Sequence, residues 1–255
     1  MNVGDVAGNA LLRSTLGDSF PASPRVTLRL ADEAGVDENS NLLHLGCGVG
    51  TVCQILIGTY GCKATGIVEM EELLQYATFD DERVQYVHAP LSSPPFAPHS
   101  FTHVLIEARC VVIAELSSVL AAARMMLAPN GVLMINDLVM GGGQSLPPIL
   151  GKMMGDTTGN GVLTFRDETE ISNEVMKAGF SIDVCREEPE VTNRILGKLN
   201  QISMMLKMAL RLSAFNPKSH GIPFTTKEII AAFDEIKKGI DDGTFQWFSW
   251  QATVN

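Results

Sequence analysis

Asn41-Leu-Leu-His-Leu-Gly-Cys-Gly-Val-Gly-Thr51 decides the fold of this chain. An apolar run stops at three glycines on alternate positions, and apolar residues at helical spacing follow directly. The pattern predicts a strand feeding a helix through a glycine loop. Without Cβ atoms, Gly46, Gly48 and Gly50 let the backbone turn sharply, take positive φ and bring a ligand against its amides. The helix that follows adds unpaired N–H groups at its start. Such a loop suits a nucleoside-like cofactor. Dinucleotide enzymes space these glycines G-x-G-x-x-G, whereas the sixth position here is Thr51.

Working outward, short β-rich runs alternate with helical ones. Strands are expected at Asn41 to Leu45, Lys63 to Val68, Val84 to His88, Thr102 to Glu107, Gly131 to Asp137, Ser181 to Glu187 and Phe245 to Ala252. Helices are expected at Gly50 to Thr59, Glu69 to Thr78, Val111 to Leu127 and Asp167 to Ala178. This rhythm predicts an α/β, Rossmann-like, seven-stranded and mostly parallel sheet with helices on both faces and an antiparallel last strand. The whole chain, 1–255, reads as one domain. Residues 1–36, with short helices at Val6 to Leu16 and Pro24 to Ala34, form an N-terminal cover, and 190–243 form a helical insertion between the last two strands. The insertion contains the methionine-rich Leu199 to Leu212. Its stripe fits a core-packing face, a roof over an apolar substrate pocket, or a contact in a homodimer.

The net charge of −10 disfavours a phosphate backbone, so nucleic acid is not an expected partner and a small molecule is. The longest apolar stretches fall short of the ~20 residues that a membrane span needs. The first ten residues lack a basic, then apolar, export signal, which makes the cytoplasm the default location. Five cysteines without a C-x-x-C pair suit reduced, buried thiols. The five histidines show no helical metal-ligand spacing, so no metal is expected. No G-x-S-x-G elbow or G-K-S/T loop is present, which removes the commonest hydrolase and nucleoside-triphosphatase readings.

Leu45-Gly-Cys-Gly-Val-Gly50 resembles the first motif of the class I S-adenosylmethionine-dependent methyltransferases, and Tyr60-Gly-Cys-Lys-Ala-Thr-Gly-Ile67 is similar to a segment of the cyclopropane-fatty-acid synthases and tocopherol-type C-methyltransferases. The resemblance, running from about Pro24 to Glu187, implies S-adenosylmethionine as cofactor and S-adenosylhomocysteine as product. It places His44, Gly46, Cys47, Gly48 and Gly50 at the cofactor. Glu69, one residue beyond the customary ribose-binding site at Val68, either reaches the ribose or opens the next helix. Pro90 stands where an acid meets adenine, so adenine falls to groups near Ala89 and Leu91.

At the end of the fourth strand Glu107 and Arg109 can face the transferring methyl or its acceptor. The resemblance makes Glu107 the catalytic candidate, as base or as partner to developing positive charge. A plain Glu107–Arg109 surface pair is the alternative. His44, Val68, Pro90 and Thr102 all replace customary acids, and each unsatisfied partner costs roughly 1.5–3 kcal/mol. Two functions therefore stand: methyl transfer to a small apolar acceptor, or a ligand- or partner-binding module on the same fold. A nicotinamide reductase is a weaker third, because the glycine spacing is wrong for it.

Overall fold

The computed structural model describes residues 23–77, 81–110, 113–141, 148–149, 151, 165–211, 217 and 224–254. The expected helix at Val6 to Leu16 lies outside them.

In chain order the elements are α1 (Pro24–Glu33), β1 (Asn41–Leu45), α2 (Thr51–Tyr60), β2 (Lys63–Val68), α3 (Glu71–Leu74), β3 (Val84–His88), β4 (Phe101–Glu107), α4 (Leu116–Met126), β5 (Leu127–Met140), α5 (Glu168–Lys177), β6 (Phe180–Glu187), α6 (Pro189–Arg211), α7 (Thr226–Asp241) and β7 (Phe245–Val254). The strands form one seven-stranded sheet in the order β3-β2-β1-β4-β5-β7-β6. The pairs β1–β2, β1–β4, β2–β3 and β4–β5 are parallel, while β7 runs antiparallel between β5 and β6. The expected sheet, including its antiparallel last strand, is the one observed.

Side chains alternate across a strand, and this sheet is apolar on both faces, as a buried parallel sheet must be. Leu43, Leu45, Val104, Ile106, Leu133 and Ile135 join α4 and α5 in one core layer. Leu42, Leu105, Met134 and Trp247 join α1, α2 and the first half of α6 in the other. His44 shares the second face with Leu42, and Glu107 shares it with Leu105. Polar groups at the carboxyl ends of β1 and β4 thus lie under α1 and α2.

Some boundaries move. The helix after β4 begins at Leu116 rather than Val111. The helix after β2 is four residues long, Glu71–Leu74. Between α4 and the paired part of β5, Asn130 takes φ 64° and the β4–β5 register jumps from Phe101↔Leu127 to His103↔Val132. The Pro129-Asn-Gly turn therefore bulges and does not pair. In α6 the buried stripe is Val191, Ile195, Leu199 and Ser203, whereas Met204, Met205 and Met208 are more than half exposed. Of the three readings of the stripe, the core-packing face does not hold for those methionines.

The glycine loop is shaped partly by protein contacts. Gly46, Gly48 and Gly50 have φ 80°, 57° and 82°. Tyr86, paired across the sheet with Gly66, lays its ring over Gly66 and Gly50 and donates from its hydroxyl to the Gly50 carbonyl at 3.2 Å. A Cβ on Gly50 would come within 2.3–2.6 Å of that ring. Gly35 shares the left-handed backbone at φ 74° but has open space around it. By denaturant unfolding, Gly35→Ala should cost only the conformational term of about 1–2 kcal/mol. Gly50→Ala should lose about 1–3 kcal/mol beyond that through overpacking; equal losses would show that Tyr86 yields freely.

Candidate active site

Parallel sheets hold ligands beyond the carboxyl ends of their strands, and β2 and β4 flank β1 on its two sides. Three chain segments consequently meet there: the glycine loop after β1, Glu69 after β2, and Ala108 and Arg109 after β4.

Within the glycine loop, the Gly46 and Cys47 N–H groups both donate to the Ile67 carbonyl, at 3.1 and 2.9 Å, and the Gly50 N–H donates to Cys47 at 3.0 Å. The expected bare amides at all the glycines are thus reduced to those of Gly48 and Val49, which find no main-chain acceptor among the described residues, and to the start of α2. The Cys47 side chain is buried beneath the loop, 2.5 Å from where a Cβ on Gly66 would stand. It packs the loop onto β2.

His44 is buried, with Nδ1 3.7 Å from the Cys53 sulfur and Nε2 without a partner among the described residues. Burial, with help from the Arg109 charge, holds its pKa down at about 3, so the imidazole is neutral at physiological pH. A hydrogen bond that the Cys53 thiol donates to Cys47, together with burial, pushes the Cys53 pKa well up, which leaves it protonated and unreactive.

Arg109 lies across the loop. Its Nε donates to the Gly46 carbonyl at 3.0 Å, and a Cβ on Gly46 would meet its Cγ and Nε at 2.8 Å. Its Nη1 stands 3.7 Å from a Glu69 carboxylate oxygen. Glu69 therefore neither continues β2 nor enters the α3 helix; it turns back over the loop. No Glu107–Arg109 pair forms. After β3, Ala89 and Leu91 are buried, and the Ala89 N–H donates to the Val68 carbonyl at 3.3 Å. An adenine bond to that N–H would compete with the sheet.

Glu107 is buried at the end of β4 and its Oε1 accepts from Thr27 of α1 and from Asn136 Nδ2 of β5, the latter at 2.8 Å. The Trp247 indole of β7 donates to Asn136 Oδ1 and fixes which way that amide faces. Burial raises Glu107 to about 7, against the two donors that lower it. Its neighbour Asp137 is buried too. One oxygen accepts the Arg109 and Cys110 N–H groups at 2.6 and 2.7 Å, and the other accepts the Leu138 N–H at 2.8 Å. Burial nevertheless lifts the Asp137 pKa above its usual range. Arg166 clamps the other side of the same segment, donating to the carbonyls of Cys110, Ile113 and Ala114 at 2.8–3.0 Å. Ala108, at φ 52°, makes the bend that directs Arg109 to the loop.

Sequence reading named His44, the glycines, Glu69 and Glu107 as candidates, and the structure brings His44, Gly46, Gly48, Glu69 and Arg109 together. It missed Thr27, Asn136, Asp137 and Arg166. The only signal was Asn136-Asp137, two consecutive polar residues closing the apolar run Val132 to Ile135. Among the described residues no group of three or more histidine, cysteine, aspartate or glutamate side chains could hold a metal ion. No described helix is long and apolar enough to cross a membrane.

Residues 43–135 match the family model of a methyltransferase domain. The sterol 24-C-methyltransferase of Kluyveromyces lactis is 30% identical over 132 residues, 49% of this chain and 35% of that enzyme. The match therefore spans about a third of the curated relative. Among solved structures, Haemonchus contortus phosphoethanolamine N-methyltransferase 2 superposes with a TM-score of 0.77 at 18% identity, covering 99% of this chain and 57% of that one. The [4+2]-cyclase SpnF superposes with a TM-score of 0.74 at 16% identity, covering 98% and 93%. The chain thus has the Rossmann-like fold of these structures, and its residues 43–135 are similar to a methyltransferase domain.

The raised Glu107 pKa has a thermodynamic sign. Between about 4.5 and about 7 the native state holds a proton that the unfolded chain has released, so this group's contribution to stability falls as pH rises through that window and is flat above it. Glu107→Gln keeps an acceptor for Thr27 and Asn136 but does not titrate. Urea unfolding should show the variant gaining on the native protein between about pH 5 and about pH 8 by on the order of 1–3 kcal/mol; a pH-independent difference would mean that Glu107 is not buried as described.

Proposed function

We propose that this chain is a single-domain, cytoplasmic enzyme that transfers a methyl group from S-adenosylmethionine to a small, apolar acceptor. The observation that carries the reading is the glycine cradle at Gly46 and Gly48, set after the central β1 strand with Glu69 and Glu107 at the ends of the strands beside it. The residues fit such a cofactor: the Gly46 carbonyl and the Gly48 and Val49 amides offer hydrogen bonds, and Glu69 offers a carboxylate for hydroxyls. Ala89 and Leu91 supply apolar wall, Gly50 and Cys47 fix the loop, and neutral His44 brings an unpartnered ring nitrogen.

When bound, the cofactor supplies an electrophilic methyl on a sulfonium. The protein's part is alignment and exclusion of water. Glu107, with a pKa near neutrality, is suited to take a proton from the acceptor or to face developing positive charge. Thr27 and Asn136 hold it in one orientation. An apolar acceptor is supported by the similarity to a sterol methyltransferase.

A second reading, a binding module on the methyltransferase fold, is favoured by one observation: Arg109 covers the cradle. The likeness to a [4+2]-cyclase shows that the fold is compatible with other chemistry. Thermal unfolding separates the two. With S-adenosylmethionine or S-adenosylhomocysteine at about 100 times Kd, the native state gains about 2.7 kcal/mol, a midpoint rise of roughly 5–10 °C for a chain of this size. No rise with either ligand at millimolar concentration would favour the binding module.

A further inference from the structure

Arg109 is not needed for the proposed reaction, yet its placement is closely specified. Its main chain is tied to Asp137, its approach is set by the bend at Ala108, and its side chain lies along Gly46 with Nη2 3.9 Å from where a Cβ on Gly48 would stand. The charges around it are unequal. His44 is neutral, and among the described residues Glu69 is the one acid that reaches the guanidinium, at 3.7 Å, beyond hydrogen-bonding distance. Both side chains of that pair are partly exposed, at 25% and 36%, so the pair is weak and exchangeable. A guanidinium presents a planar fork of donors that matches a carboxylate in two parallel bonds.

We infer that Arg109 is a specificity-determining residue that receives the α-carboxylate of the bound adenosyl amino acid, exchanging its loose contact with Glu69 for that carboxylate and freeing Glu69 for the ligand's hydroxyls. The inference rests on the cofactor reading above. In the free protein the Arg109–Glu69 pair covers the cradle; a ligand without an anionic end leaves that cover in place, and a sulfonium or ammonium beside the guanidinium is repelled. A carboxylate reverses the balance.

Isothermal titration of the full chain with S-adenosylhomocysteine and with its decarboxylated analogue tests this. The native protein should bind the carboxylate-bearing ligand about 10- to 100-fold more tightly. Arg109→Gln should lose a similar factor for S-adenosylhomocysteine, change little for the analogue, and so bring the ratio close to one. Arg109→Lys, which keeps charge but not the fork, should fall between them; circular dichroism establishes that each variant is folded. If the native protein binds both ligands equally, or if Arg109→Gln keeps the native ratio, the inference is overturned while the adenosyl reading stands. If neither ligand binds at millimolar concentration, the cofactor reading fails and takes the inference with it.

Discussion

The site depends on one buried carboxylate. Asp137, with no solvent exposure, accepts three main-chain N–H groups, two of them from the segment leaving β4. Hydrogen bonds to a charged acceptor contribute roughly 1.5–3 kcal/mol each, and leaving such an acceptor unsatisfied in the interior costs more. The chain after β4 accordingly has little freedom: it must bring Arg109 and Cys110 back to β5. Arg166 repeats the arrangement with opposite polarity, a cation gathering carbonyls from the same turn. The bond to Asp137 and the bend at Ala108 together send Arg109 over the glycines.

Topology does the rest. In the order β3-β2-β1-β4 the carboxyl ends of β2 and β4 lie on either side of the loop after β1. Glu69 and Arg109, forty positions apart in the chain, face each other there because their strands flank the same neighbour. On the sheet face beneath α1, Thr27, Glu107, Asn136 and Trp247 come from four elements and form one chain of hydrogen bonds. Each of those groups is polar and buried, and each is satisfied by the next.

These facts explain what could be read in advance. The bounds of β1, β2 and β3 were legible to the residue: β1 and β2 are buried runs ended by glycine or charge, and the edge strand β3 is a short β-rich run after a charged stretch. Glu107 was legible from its place at a strand end. Its donors were not, since they converge only through pairing and helix packing. The late start of α4 was hidden because Asp137 and Arg166 hold residues that would otherwise suit a helix. The outward-facing methionines of α6 were hidden as well: composition gives the stripe, but not which side of a long helix meets the sheet. The glycines were read as ligand-facing, and two of them also answer to Tyr86 and Arg109.

The position of β7 carries a consequence for how the molecule is made. Residues 245–254 leave the ribosome after every other strand, yet they insert antiparallel between β5 and β6 and supply the indole that orients Asn136. Until they emerge, β5 and β6 have an open seam between them and the Glu107 amide partner has no fixed orientation. A nascent chain can thus close the glycine loop's bonds to Ile67 once β2 pairs with β1, while the Thr27–Glu107–Asn136 chain of hydrogen bonds waits for residues 245–254 to fix it. The loop and the buried polar network beneath α1 are completed at different times during biosynthesis.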